Sequence, residues 1–190
     1  MPRRKILFSA GNFYHIYNRG NNRSAIFFER ENYLYFLEKL RFYFTSEKVR
    51  IHVYCLMPNH FHLLVELLSE CSFSNLCKNL FISYTKAMNK RFDRTGHIFE
   101  GEFKSKIVGS SEYLLTLSRY IHSNPSNAGL VQKPELWEFS SYLDYLGRRQ
   151  GKLPYTKFIL SHYKSVDEYQ RFVEGVRESE FQAMGREMFK

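Results

Sequence analysis

The sequence predicts an α+β protein, an α/β sandwich built on an antiparallel sheet of four strands. Three observations carry that reading. Short β-prone runs alternate with amphipathic stretches in the order β-α-β-β-α-β-α. The two middle strands are separated only by Pro58-Asn59, a connection so short that they must form an antiparallel hairpin. With 44% hydrophobic and 17% aromatic residues in 190, the chain can bury a core as one domain with an appendage.

Each element follows from local pattern. Phe13 to Tyr17 is aromatic and β-prone, and Asn18-Arg19-Gly20-Asn21-Asn22 ends it in turn residues. From Glu29 to about Ser46, Tyr33, Phe36, Leu37, Leu40 and Phe44 recur at helical spacing. Val49 to Met57 reads as the second strand, with Ile51, Val53 and Cys55 on one face and His52, Tyr54 and Leu56 on the other. The third strand runs from His60 to about Leu68, with Phe61, Leu63, Val65 and Leu67 as an unbroken apolar row. A second helix spans about Phe73 to Phe92, and Asp93 to His97 is a turn. Ile98 to Val108 reads as the fourth extended segment. Ser110 or Ser111 caps a third helix that should end near Asn124, before Pro125. Residues 137–147 suggest a short helix, and Val166 to about Met184 a longer one. This order places two helices on one face of the sheet, leaving the other for the third helix or a ligand.

Composition narrows the function. With 28 Lys+Arg against 19 Asp+Glu, the formal charge is +9, which favours a polyanionic partner, either nucleic acid or an acidic membrane surface. Cys55, Cys71 and Cys77 are odd in number and lack Cys-x-x-Cys spacing, which fits a reducing cytoplasm better than a disulfide scaffold. After Arg3, Arg4 and Lys5 the apolar run Ile6-Leu7-Phe8 is too short for a signal peptide, and no stretch approaches transmembrane length.

The chemistry-bearing pair is His60 and His62, one residue apart on a strand and therefore projecting to the same face, opposite the apolar row. Two imidazoles side by side make half of a metal site. The third helix offers the other half. Leu114, Leu117 and Ile121 define its packed arc, Tyr120 stands at the edge of that arc, and Asn124 lies one turn on. A phenol is a nucleophile and a carboxamide a neutral oxygen ligand. Helical spacing alone does not separate Tyr120 from Tyr113 or Tyr84 among 14 tyrosines, and Asn124 before Pro125 can also serve simply to end the helix.

The order of motifs goes further. Tyr14-His15-Ile16-Tyr17-Asn18-Arg19-Gly20, Leu56-Met57-Pro58-Asn59-His60-Phe61-His62-Leu63-Leu64, Arg94 through Ser105, and Glu112-Tyr113-Leu114-Leu115 continuing to Arg119-Tyr120-Ile121-His122-Ser123-Asn124-Pro125 occur in sequence, followed by Ala128-Gly129-Leu130-Val131 and Trp137 to Tyr142. Over about residues 12–147 the chain resembles the IS200-like single-tyrosine (Y1) transposases of the HUH endonuclease superfamily, and within them the REP-associated type. Glu102 and Ser126-Asn127 depart from the pattern, standing where many relatives carry basic residues.

The resemblance implies a ferredoxin-like sheet of the HUH nuclease type and an endonuclease and strand transferase acting on hairpin-bearing single-stranded DNA. It implies a catalytic domain over 1–147 and a helical extension over 148–190. It assigns Tyr120 as the nucleophile forming a 5′-phosphotyrosine, and His60, His62 and Asn124 as ligands of Mg²⁺ or Mn²⁺. Arg91, Arg94, His97, Lys104 and Lys106 form a basic turn and strand suited to DNA contact. Relatives dimerise or act alone, and the extension favours a monomer over a homodimer. The competing reading is a catalytically silent nucleic-acid-binding protein on the same sheet, with Tyr14 and Tyr54 stacking bases.

Overall fold

The structure, a computed structural model, describes residues 7–175 and 178–188. The basic start, Arg3 to Lys5, lies outside the described residues. Strands β1 (Phe13–Arg19), β2 (Val49–Met57), β3 (His60–Leu67) and β4 (Lys104–Val108) form one sheet in the order β2-β3-β1-β4. Every neighbouring pair is antiparallel. Helix α1 (Arg30–Tyr43) connects β1 to β2 by crossing over β3, and α2 (Phe73–Arg91) connects β3 to β4 by crossing over β1. These two interlocked crossovers put both helices on one face, where they pack on each other, and leave β1 and β3 central. This is the α+β, ferredoxin-like sheet expected from the sequence.

Alternation along the central strands separates two cores. Tyr14, Ile16, Phe61, Leu63, Val65 and Leu67 are buried beneath α1 and α2 with Phe36, Leu40, Leu80 and Tyr84. The opposite face is covered by α3 (Ser111–Asn127), by α4 (Tyr142–Tyr145) and by helices of the extension: α5 (Lys157–Leu160), α6 (Val166–Glu174) and α7 (Glu178–Met188). Val53, Cys55, Leu64, Leu117, Ile121, Tyr145 and Tyr169 fill that second core. Burying such side chains is worth about 1.5–3 kcal/mol each. His122 of α3 ties the layers with 2.7 Å hydrogen bonds to the Tyr169 and Ser141 hydroxyls. Among the described residues no helix is long and apolar enough to cross a membrane.

The facing of β2 departs from simple alternation. Ile51 pairs with Val65 but Val53 pairs with Leu64, so His52 is an extra residue in the ladder, a β-bulge. Ile51 consequently joins Tyr54 and Leu56 on the α1/α2 side, while Val53 and Cys55 face α3. Tyr14 and Tyr54 are 0% and 4% exposed within the helix-side core, so neither can stack on a base, contrary to the sequence expectation for the competing reading.

Four element boundaries also differ from the sequence expectation. The fourth extended segment enters the ladder only at Lys104. Before it, the chain wraps the end of β1, with Ile98 O accepting from Asn21 N at 2.8 Å, Glu100 N donating to Arg19 O at 3.0 Å, and Ile98 and Phe99 both buried. Helix α3 continues through Pro125 to Asn127, because the Ser126 hydroxyl and Asn127 amide donate to Ser123 O at 2.9 Å and Ala128 N donates to Asn124 O. The expected helix over Val166–Met184 is two, α6 and α7, with Gly175 N closing the first onto Arg171 O. The helix expected over 137–147 is confined to Tyr142–Tyr145, because residues 139–141 instead line the edge of β2: Leu56 N donates to Phe139 O and Ser141 N to Tyr54 O, both at 2.9 Å. This pairing covers an edge that would otherwise be open.

Candidate functional site

His60 and His62 lie on the α3 side of central strand β3, ring centroids 5.1 Å apart and planes at 81°. His62 is fully buried and His60 partly exposed. The expected projection to one face holds, but α3 and the extension cover that face. Both imidazoles are held through Nδ1. His60 Nδ1 lies 2.6 Å from Asn59 Oδ1, and Asn59 Nδ2 donates to Arg23 O at 3.2 Å. Because that amide nitrogen is spent on a carbonyl, Asn59 Oδ1 must accept, which places the His60 proton on Nδ1 and its lone pair on Nε2. His62 Nδ1 lies 3.0 Å from Nε2 of His15, which β1 projects onto the same face.

Helix α3 begins where Ser110 Oγ accepts from Tyr113 N at 3.2 Å, and it lays Leu114, Leu117 and Ile121 on the sheet as the sequence predicts. This brings Tyr120, whose ring meets His62 edge-on at 5.6 Å and 83°. Asn124, one turn on, lies near enough to both His60 and Tyr120 to influence their protonation, raising the first and lowering the second. The four residues selected from two distant stretches of sequence thus meet at one place. Tyr113 instead lies beneath the Lys106 ammonium, and Tyr84 donates to Ile26 O in the opposite core.

Burial dominates the electrostatics. It lowers His60 to about 4, opposed by nearby Asn124, and holds His62 well below the usual histidine value. His15 is lowered to about 3 by burial and then by nearby Lys106. Neutral imidazoles are the metal-ligating form. Burial also pushes the Tyr120 phenol up to about 12, opposed by nearby Asn124.

Two features escaped the sequence reading. His15 belongs to a matched motif but had no role, because its proximity to His62 depends on β1 lying beside β3. The second is the cover on Tyr120: Phe181 of α7 stacks on its ring at 4.6 Å and 15°, and a Cβ on Gly185 would stand 3.6 Å from its hydroxyl. Tyr120 is consequently only 4% exposed.

The basic residues divide. Lys104 and Lys106 pair across strands with Tyr17 and His15, so they share the face of the histidines. Arg91 ends α2 on the opposite layer, paired with Glu29, and Arg94 lies over Phe28 at 4.8 Å. His97 is exposed in the turn preceding Ile98. Among the described residues no group of three or more His, Cys, Asp or Glu side chains converges as a metal cage, so any cation here would rest on two imidazoles and an amide.

Comparison with known proteins agrees with this architecture. No curated protein sequence matches the chain. The structure of a REP-associated tyrosine transposase bound to a REP hairpin superposes with a TM-score of 0.64 at 18% identity, covering 82% of this chain and 91% of that one. A Deinococcus radiodurans R1 protein assigned as a transposase aligns at 16% identity with a TM-score of 0.43, over 64% of this chain and 95% of that one. The family model "Transposase IS200 like" matches residues 10–124, a span that runs from β1 to Asn124. The chain therefore belongs to the IS200-like transposase family.

Proposed function

We propose that this protein nicks and rejoins hairpin-bearing single-stranded DNA, with Tyr120 as the nucleophile and a divalent cation held by His60, His62 and Asn124. The observation that carries the reading is the placement of Tyr120 edge-on against His62, with Asn124 one turn on and near enough to influence both Tyr120 and His60. The REP-associated relative is itself bound to a REP hairpin, which supports a hairpin as the substrate class.

The donor set fits a divalent cation. Asn59 fixes His60 as the tautomer with an Nε2 lone pair, both histidines are neutral at pH 7, and Asn124 supplies an amide oxygen. Two nitrogen donors and no carboxylate suit Mn²⁺ better than Mg²⁺. When bound, such a cation would polarise the scissile phosphate and offset charge developing on it.

In the step assigned to Tyr120, its oxygen loses a proton and forms a bond to phosphorus, while the bond from phosphorus to the 3′ oxygen breaks. The leaving oxygen takes up a proton as a 3′-hydroxyl, and the 5′ side remains as phosphotyrosine. The reverse attack rejoins a strand without ATP, because the phosphodiester is conserved in the covalent bond. Asn124 assists from one turn away, lowering the phenol against the effect of burial. Lys104 and Lys106 supply positive charge along the neighbouring edge for the DNA backbone, with Arg94 and His97 as outlying contacts, while Arg91 is held by Glu29 on the opposite layer. The extension leaves the catalytic set within one chain, so the protein would act as a monomer.

The test is a labelled single strand carrying a hairpin, incubated with Mn²⁺ and resolved under denaturing conditions. Wild type yields a covalent protein–DNA band and Tyr120→Phe does not. An adduct in Tyr120→Phe overturns the choice of nucleophile. Binding without an adduct on every hairpin, in wild type and in a variant with α7 removed, favours the silent binding protein.

A further inference from the structure

We infer that His15 is a positioning residue for the cation site, accepting a hydrogen bond from His62 Nδ1 so that the His62 Nε2 lone pair is directed to the cation. The inference rests on the proposed metal reading and gives a defined task to a buried histidine that the nucleophile chemistry does not use.

The geometry makes His15 the counterpart of Asn59. Each candidate ligand has Nδ1 within hydrogen-bond distance of one neutral group: Asn59 Oδ1 at 2.6 Å for His60, and His15 Nε2 at 3.0 Å for His62. Metal-bound histidines characteristically donate their other ring N–H to such an acceptor, which selects the tautomer and fixes the ring plane. The His15 and His62 rings lie only 22° from coplanar with centroids 5.2 Å apart, so the His15 lone pair lies near the plane of the His62 N–H.

The fold enforces this contact. β1 and β3 are hydrogen-bonded neighbours, and Tyr17 stands opposite His62, which makes His15 the diagonal neighbour on the same face. Tyr17 also stacks on His15 at 4.7 Å and 26°, preventing the ring from rotating away. His15 is 0% exposed, so water does not compete for its Nε2.

A proton count specifies the metal-ready state. His62 carries its proton on Nδ1, and neutral His15 carries its own on Nδ1 with Nε2 accepting. Among the described residues His15 Nδ1 has no hydrogen-bond partner. An imidazole in the opposite tautomer would donate from Nε2 and leave the His62 proton on its cation-facing nitrogen. A cation on His62 therefore selects the tautomers of both rings, which a carbonyl acceptor would not require.

The experiment titrates Mn²⁺ into the full chain without DNA, following free Mn²⁺ by electron paramagnetic resonance, and compares wild type with His15→Gln and His15→Asn. A Gln amide reaches about as far as histidine Nε2, whereas the Asn amide stops near Nδ1, so the two variants share chemistry and differ in reach. His15→Asn is expected to weaken Mn²⁺ binding about 10- to 100-fold, and His15→Gln to stay within about 3-fold of wild type, with urea unfolding confirming that each is folded. His15→Phe, which keeps the ring volume, replaces His15→Asn if the latter does not fold. Equal affinity in wild type and in the variant lacking reach, or equal weakening in both amide variants, overturns the role of His15 alone. Absence of Mn²⁺ binding by wild type overturns the metal reading and this role with it.

Discussion

Tyr120 is stacked on Phe181 with ring centroids 4.6 Å apart and planes 15° from parallel. A phenol so covered cannot meet a DNA phosphate until α7 moves. An aromatic pair contributes about 0.5–1.5 kcal/mol beyond its buried area, and about 1.4 kcal/mol is tenfold in an equilibrium constant. Phe181→Ala should therefore raise the initial rate of adduct formation about 2- to 10-fold, measured by quenched time courses on a labelled hairpin strand. An unchanged or lower rate shows that α7 is not the obstacle.

Asn124 lies between the candidate nucleophile and the candidate metal site, near enough to influence both Tyr120 and His60. Asn124→Ala should reduce Mn²⁺ affinity about 10- to 100-fold, the range for loss of a ligand or its support. Asn124→Asp, which supplies a charged oxygen, should bind Mn²⁺ more tightly than wild type. Calorimetric titration of the three proteins checks the order, and equal affinities would remove Asn124 from the ligand set.

Lys104 and Lys106 lie on the histidine face, whereas Arg91 is held by Glu29 on the opposite layer. For a single strand, each phosphate contact contributes about 0.7 to the slope of log affinity against log salt. Lys104→Ala and Lys106→Ala should each flatten the measured slope by about that amount, while Arg91→Ala leaves it nearly unchanged. Fluorescence anisotropy across a salt series reads the difference. A large effect confined to Arg91 would place the DNA over the helical layer.

Gly20 is required by close approach rather than by dihedral angle. A Cβ there would lie 1.9 Å from the carbonyl oxygen of Ser24, and Gly20 N donates to Asn59 O at 2.8 Å. Overpacking of this kind costs about 1–3 kcal/mol. Gly20→Ala should lower the urea midpoint accordingly, and it should weaken Mn²⁺ binding because Asn59 holds His60. Wild-type stability in Gly20→Ala would mean that the turn adapts without cost.

His122 sets a pH dependence of folding away from the candidate site. Burial lowers it to about 3, assisted by the nearby Arg149 charge. Below its unfolded value of about 6.5 the unfolded chain takes up a proton that the folded form excludes. Stability is therefore full above about pH 6.5 and falls as pH drops towards 3, by up to about 1.4 kcal/mol per pH unit for one such group. His15, lowered similarly, acts in the same direction. Urea midpoints should fall from pH 7 to pH 5, and His122→Gln should flatten the decline. A midpoint independent of pH would show that the histidines protonate without unfolding.

Much of this molecule is legible from its sequence because local physics decides it. Period-two burial in Phe61, Leu63, Val65 and Leu67, the two-residue connection at Pro58-Asn59, and the Leu114, Leu117, Ile121 arc recur in the structure as expected. The failures are equally local in origin. The bulge at His52 reverses the facing of β2, since one extra residue shifts the alternation. Buried Ile98 and Phe99 wrap β1 rather than pair in the ladder, and capping by Ser126 and Asn127 carries α3 past Pro125.

The sequence by itself determined that His60 and His62 share a face, that Tyr120 and Asn124 share another, and that its motif order resembles that of the IS200-like transposases. Those statements depend on periodicity and order along the chain. Only tertiary structure decided that β1 lies beside β3, delivering His15 to His62, and that α7 folds back to place Phe181 on Tyr120. Strand neighbours and helix docking arise from burial between segments distant in sequence, and no local pattern records which surfaces will meet.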